Sequence, residues 1–207
     1  MRRAVLCIAA GVALLTSFGV VACRSTPPPS VGSENVTALA SPSPSPPVSR
    51  KSSAPAKAGA VTPTGLRIPK LKLTATIIPV GVDDNGDFAV PPSVDRVGWY
   101  RYGPGFAADR GSIAIAGHVD SAEQGKGAFF KLGSLSPGDT VVLTDSEGAT
   151  REFKVVGRER YAKTKIPLDR YFARDGKPRL TLITCGGPFD ASTGHYRDNV
   201  VVTAVPG

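Results

Sequence analysis

Residues 179–190 read RLTLITCGGPFD, and the reading of this stretch decides the fold. A run of apolar and β-branched residues that stops at a cysteine and two glycines predicts a buried strand, Arg179–Cys185, whose end is open to close approach by another backbone. Working outward, runs of the same kind recur as LRIPKLKL (66–73), TATIIPVGV (74–82), DFAV (87–90), SIAIAGH (112–118), TVVLTD (140–145), REFKVVGRERY (151–161) and NVVVTAV (199–205). Between them stand DDNGD (83–87), YGPG (102–105), SPGD (136–139) and DSEG (145–148), which carry the Gly, Pro and Asx residues that tight turns need. Helical pattern is scarce, with one- or two-turn candidates at AFFKLGSL (128–135) and PLDRYFARD (167–175). About eight strands with few helices predict a mainly β fold, a closed or nearly closed barrel.

The amino-terminal third has a different composition. MRR followed by the apolar stretch Ala4–Ala22 reads as a secretory signal or a single membrane anchor. Val20, Val21, Ala22 and Cys23 resemble a bacterial lipobox, which makes Cys23 a candidate lipidation site beside the alternatives of an uncleaved anchor and simple cleavage. From Arg24 to Thr62 the chain is rich in Ser, Pro, Ala and Thr, has no aromatic residue and reads as a disordered linker. At about 3.1 Å per residue such a Pro-rich tether holds a domain on the order of 100 Å from a membrane. The expected organisation is therefore a leader at 1–23, a linker at 24–62 and a catalytic-size domain at 63–207.

The formal charge of +8 is unevenly spread: six basic residues against Glu34 alone up to Thr62 account for five of those charges, leaving three for the rest. The Lys and Arg of the domain are interleaved with acids and form no dense run, so nucleic acid is excluded as a partner. The basic tail suits the cell envelope. No clustered acidic loop points to a metal, and DDNGD is more simply a hairpin turn; no cofactor is implied.

Of the three cysteines, Cys7 lies in the apolar leader and Cys23 at the processing site, leaving Cys185 alone in the domain. An unpaired thiol in an exported protein is either buried and inert or kept for its reactivity. If 179–185 and 199–205 pair across a connection at 186–198, Arg197 comes to lie beside Cys185, where a guanidinium favours a thiolate and can donate to an oxyanion. Cys185 is in phase with Ile183 and Thr181, and Arg197 with Asn199, Val201 and Thr203; whether the two faces coincide depends on register. Cysteine chemistry also needs an acid/base group, and both histidines qualify. His118 closes SIAIAGH at a strand end, and His195 lies in TGHYRDN with Asn199 near to orient it; spacing does not choose between them.

AGHVD (116–120), TLITC (181–185) and an arginine twelve positions after the cysteine, opening a final valine-rich strand, together resemble the sortases, the cysteine transpeptidases of the Gram-positive envelope. The likeness spans roughly Thr64–Val205, and TCGG, PFD and GHYRDNVVV are most similar to the actinobacterial class F sortases. The resemblance implies an eight-stranded sortase barrel with Cys185 as nucleophile, His118 as general acid/base, Arg197 as stabiliser of the oxyanion or substrate carbonyl, and Thr184 as support for the acyl oxygen or the arginine. Asp120 is weighed as an orienter of His118 and left out of that set. The implied partners are secreted proteins with a carboxy-terminal sorting signal and an amine acceptor of cell wall or pilin, met on the outer face of the membrane. Two other functions fit the residues alone: a secreted cysteine peptidase using Cys185 and His195, and a non-catalytic envelope lipoprotein that only binds a partner.

Overall fold

The computed structural model describes residues 29–40, 61–84 and 86–207. The leader 1–23 with Cys7 and Cys23, and the linker residues 24–28 and 41–60, lie outside the described residues. Among the described residues there are ten strands: β1 (Pro63–Ile68), β2 (Leu73–Val80), β3 (Arg96–Tyr100), β4 (Ser112–Gly117), β5 (Asp120–Ser121), β6 (Gly125–Lys126), β7 (Thr140–Asp145), β8 (Thr150–Ala162), β9 (Arg179–Asp190) and β10 (His195–Pro206). Eight of them close a barrel in the order β1-β2-β3-β4-β9-β10-β8-β7, while β5 and β6 form a separate two-stranded ribbon. The expected mainly β, eight-stranded barrel is thus what the chain forms. Among the described residues no helix is long and apolar enough to cross a membrane.

Two-residue alternation sorts the side chains. Ile113, Ile115, Leu180, Leu182, Val202 and Ala204 point into the barrel and pack with Trp99, Phe129, Leu143 and Phe153. Ala116, Ile183 and Val201 face outward into a second cluster with Tyr171. Strand β4 is buried along its whole length because both faces are covered, which is why SIAIAG reads as an unbroken small-and-apolar run.

Three local expectations need correction. DFAV (87–90) makes only an isolated bridge, Val82 to Phe88, because Pro91 and Pro92 follow at once and have no N–H to carry a ladder on. Its place is taken by β3, RVGWY, which lies parallel to β2; the Gly98 hydrogen leaves room that a Cβ would lose, 2.7 Å from a Val80 methyl. The segment 128–135 forms turns and a 3₁₀ turn at Leu132–Ser134 in place of an α-helix, whereas 167–175 supplies the one-turn α-helix Leu168–Tyr171. Finally, the supposed connection 186–198 is mostly ladder: β9 runs to Asp190, β10 starts at His195, and Ala191–Gly194 make the turn.

The linker reading also fails over residues 29–40. Val31 bridges Arg158 with paired backbone hydrogen bonds of 2.7 and 2.8 Å, and α1 (Ser33–Ala40) follows. The Arg158 guanidinium donates to the carbonyls of Leu135 and Pro29. Val36 is 1% exposed and joins the outer cluster of Ala116, Ile183 and Val201. Gly157 makes this docking possible, since a Cβ there would stand 2.6 Å from a Val36 methyl. Composition misleads here because one valine in a polar segment suffices once a sheet offers it an apolar seat and an unpaired strand edge.

Candidate active site

Strand pairing brings the end of β4 beside the middle of β9, and the middle of β9 beside β10. β4 and β9 run parallel, with Ser112 level with Arg179 and Ala116 level with Ile183. His118 and Cys185 each follow two residues after that last pair, on segments that leave adjacent strands spaced about 4.8 Å apart. A buried hydrogen bond confirms that the strands stay together to that level: Thr184 Oγ1 donates to the Gly117 carbonyl at 2.8 Å. Because Ala116 and Ile183 both face the outer cluster, His118 and Cys185 share that outer face.

The other side of β9 is antiparallel to β10, and Asn199 is the direct partner of Cys185, Val201 of Ile183 and Thr203 of Thr181. The Cys185 face therefore coincides with that of Asn199, Val201 and Thr203. Arg197 lies two residues from Asn199. A register shift between Tyr196 and Asp198 breaks the ladder at this point. The Arg197 guanidinium is 66% exposed and donates through Nε and Nη2 to Asp190 Oδ2 at 3.2 and 2.9 Å. Asp190 is held down at about 2 by the Ser192 hydroxyl first and by Arg197 second.

His118 is gripped through both backbone and ring. Its carbonyl accepts from the Phe129 N–H at 3.0 Å, and the neighbouring Val119 carbonyl accepts from Gly127 at 2.9 Å. Gly127 must be glycine at this approach, because a Cβ would fall 2.3 Å from the His118 oxygen. Ring Nε2 lies 2.8 Å from the Pro91 carbonyl. A carbonyl only accepts, so Nε2 carries the hydrogen and Nδ1 is the nitrogen left for proton exchange.

The remaining predicted residues are distributed differently. Cys185 is a free, half-buried thiol at the rim of the outer face. Thr184 is 4% exposed and points inward, in phase with Leu182, so its hydroxyl faces away from the cysteine and serves the end of β4. His195 is exposed and pairs with Asp190, four residues beyond Asn199 along β10. Four steps of about 3.3 Å carry it about 13 Å from the level of Cys185. Asp120 does not orient His118; its Oδ2 accepts from Tyr196 Oη at 2.6 Å. The sequence reading overlooked Tyr196, although its position next to Arg197 at the start of the last strand was the available signal. Among the described residues no group of three or more His, Cys, Asp or Glu side chains is placed to hold a metal ion.

The model of the Sortase family, a sortase domain, matches residues 66–207. Solved structures with the same fold include sortase C2 of Group B Streptococcus pilus island 1, with 16% identity and a TM-score of 0.53 over 69% of this chain and 72% of that one. Sortase C1 from Streptococcus suis aligns with 14% identity and a TM-score of 0.55 over 72% and 74% of the two chains. A lid mutant of sortase A from Corynebacterium diphtheriae aligns with 19% identity and a TM-score of 0.54 over 73% of each. At such identities the structural likeness shows the fold alone. No curated protein matches the chain in sequence.

Proposed function

The chain belongs to the sortase family of cysteine transpeptidases, and from that premise we propose that it cleaves a sorting signal of the Leu-Pro-X-Thr-Gly type after the threonine and transfers the acyl part to an amine. The observation that supports this reading is the register of β4, β9 and β10, which pairs Ala116 with Ile183 two residues before His118 and Cys185, and pairs Cys185 with Asn199 two residues after Arg197.

In the first half of the reaction the Cys185 thiolate attacks the threonine carbonyl carbon. An S–C bond forms, the carbonyl electrons move onto oxygen, and the Arg197 fork donates to that oxygen. Collapse breaks the C–N bond, and His118 gives its Nδ1 proton to the departing glycine amine. A thioacyl enzyme remains. In the second half an amine attacks the thioester, His118 takes its proton, the C–S bond breaks and the thiolate returns. Asp190 restrains Arg197 through Nε and Nη2, which leaves Nη1 free to donate. Water in place of the amine makes the same machinery a hydrolase.

The motif GHYRDNVVV and the TCGG–PFD sequence around the hairpin support assignment to class F. The enzyme works at the outer face of the cell membrane, held there through residues 1–23, as an anchor or through lipid on Cys23. Its partners are exported proteins bearing the signal and an amine of the wall or of a pilin. Mass spectrometry of the full chain incubated with sorting peptides and an added amine tests the reading: a thioacyl adduct on Cys185 and a product joined at threonine are expected. Cys185→Ala and His118→Ala should abolish transfer and His195→Ala should keep most of it. Loss of activity in His195→Ala with retention in His118→Ala would establish the peptidase alternative instead. Partner binding that survives alkylation of Cys185, with no adduct from any sorting peptide, would establish the binding module.

A further inference from the structure

Beyond the barrel rim, the β9–β10 hairpin carries Arg197 on a ladder whose end is mostly exposed; Phe189 is 57% exposed. Side chains of this end largely bond to one another. Ser192 and Arg197 both donate to Asp190, and the Phe189 and Tyr196 rings stack edge to face at 5.2 Å. Among the described residues, one side-chain hydrogen bond ties residues 186–197 to another element, and it is the 2.6 Å bond from Tyr196 Oη to Asp120 Oδ2.

Asp120 opens β5 two residues after His118 and pairs with Lys126 of β6. Tyr196 immediately precedes Arg197. The bond therefore links the loop that follows His118 to the hairpin residue that precedes Arg197, on either side of the middle of β9, where Cys185 sits. The Tyr196 hydroxyl is pushed up to about 12 by its bond to Asp120, then by burial, by the Asp120 charge and by the Cys185 sulfur. The backbone next to this bond is also the weakest part of the ladder, since the register shifts between Tyr196 and Asp198.

We infer that the Tyr196–Asp120 hydrogen bond is a clasp that holds the Arg197 hairpin against the His118 loop, making Tyr196 and Asp120 positioning residues for transfer at Cys185. The inference rests on the proposed transpeptidation for its kinetic meaning. Its geometry stands apart from that reading. Without the clasp, the exposed hairpin end keeps only its own internal bonds, and the bulge beside Arg197 gives it a point about which to swing. A guanidinium misplaced by about 1 Å stabilises an oxyanion poorly, at a cost of up to about a hundredfold in rate.

The test is a double-mutant cycle in the full chain, read by transfer kinetics and by the pH profile of Cys185 alkylation resolved by peptide mass spectrometry. Tyr196→Phe keeps the ring and removes the donor; Asp120→Ala removes the acceptor. Each should lower kcat about tenfold with KM within about twofold, and Tyr196→Phe combined with Asp120→Ala should lose no more than either alone, because both singles break one bond. The titratable and charged groups on the segments around Cys185 are Asp120, Lys126, His118, Arg197, Asp190 and Asp198, of which Asp198 pairs with Arg160 and Asp190 with Arg197. Tyr196→Phe bares the Asp120 carboxylate and should raise the alkylation midpoint by roughly 0.5 pH unit. Asp120→Asn removes the charge while keeping an acceptor, and should lower that midpoint and lose less kcat than Asp120→Ala. Additive losses, a Tyr196→Phe enzyme with wild-type kcat, or midpoints that move together in both variants would overturn the clasp. A wild-type chain with no transfer to any amine would sink the transpeptidation reading alone, since the alkylation midpoints would still decide the clasp.

Discussion

Replacing Thr184 by Val exchanges a hydroxyl for a methyl of nearly the same volume and takes one donor from the Gly117 carbonyl. The bond is 2.8 Å long, its donor is 4% exposed, and the next residue after Gly117 is His118. A buried neutral hydrogen bond contributes about 1 kcal/mol, and an acceptor left short of a partner adds desolvation cost, so a loss of about 1.5 kcal/mol is expected. For a fold of about 150 residues each kcal/mol lowers Tm by about 2–4 °C, which makes the drop roughly 3–6 °C. Thr184→Ser keeps the donor and should recover most of it. Because the Gly117 carbonyl loses its tie to β9 one residue before His118, kcat should fall about fivefold in the valine variant and much less in the serine variant. Thermal unfolding by circular dichroism alongside peptide transfer gives both numbers. A Thr184→Val protein as stable as wild type but poorly active would refute the reasoning, because the hydroxyl would then be serving the reacting carbonyl, as the sequence alone suggests.

Other outcomes follow from the same contacts. Val36→Asp places a charge in the outer cluster and should release residues 29–40, seen as loss of hydrogen-exchange protection at Val31 and Val36 with the barrel strands still protected; unchanged protection at Val31 would show that the docking does not depend on Val36. Asp190→Ala removes an exposed ion pair, so Tm should move by less than about 2 °C, while kcat falls several-fold because Arg197 loses its restraint; a kcat equal to wild type would count against that restraint. Tyr196 is raised in the fold from 10.0 to about 12, so the stabilisation it gains from Asp120 is complete below pH 10 and is lost as pH rises through 10 to 12. The stability gap between wild type and Tyr196→Phe, measured by urea unfolding, should be constant up to about pH 9.5 and close between 10 and 12; a gap independent of pH would place the shift elsewhere.

Much of this molecule is written locally. The apolar β-branched runs, the glycine turns and the isolation of Cys185 in the domain are properties of neighbouring residues, and period-two burial needs no knowledge of partners. The order His, Cys, Arg could likewise be read directly from the chain. Where locality fails, so did expectation: RVGWY is short and contains a glycine whose fit depends on Val80 across the sheet, and Ser33–Ala40 is too polar to fold until Gly157 and the outer cluster receive Val36.

The sequence by itself determined most of the strands, their turns and the identity of the reactive-looking thiol, because covalent neighbours dictate backbone preference and alternation. Only the tertiary structure decided that Cys185 pairs with Asn199, that His195 stands far along the hairpin, that Thr184 turns inward, and that Tyr196 reaches Asp120. Each of these is a matter of register between distant segments, and a slip of one residue would send every such side chain to the opposite face.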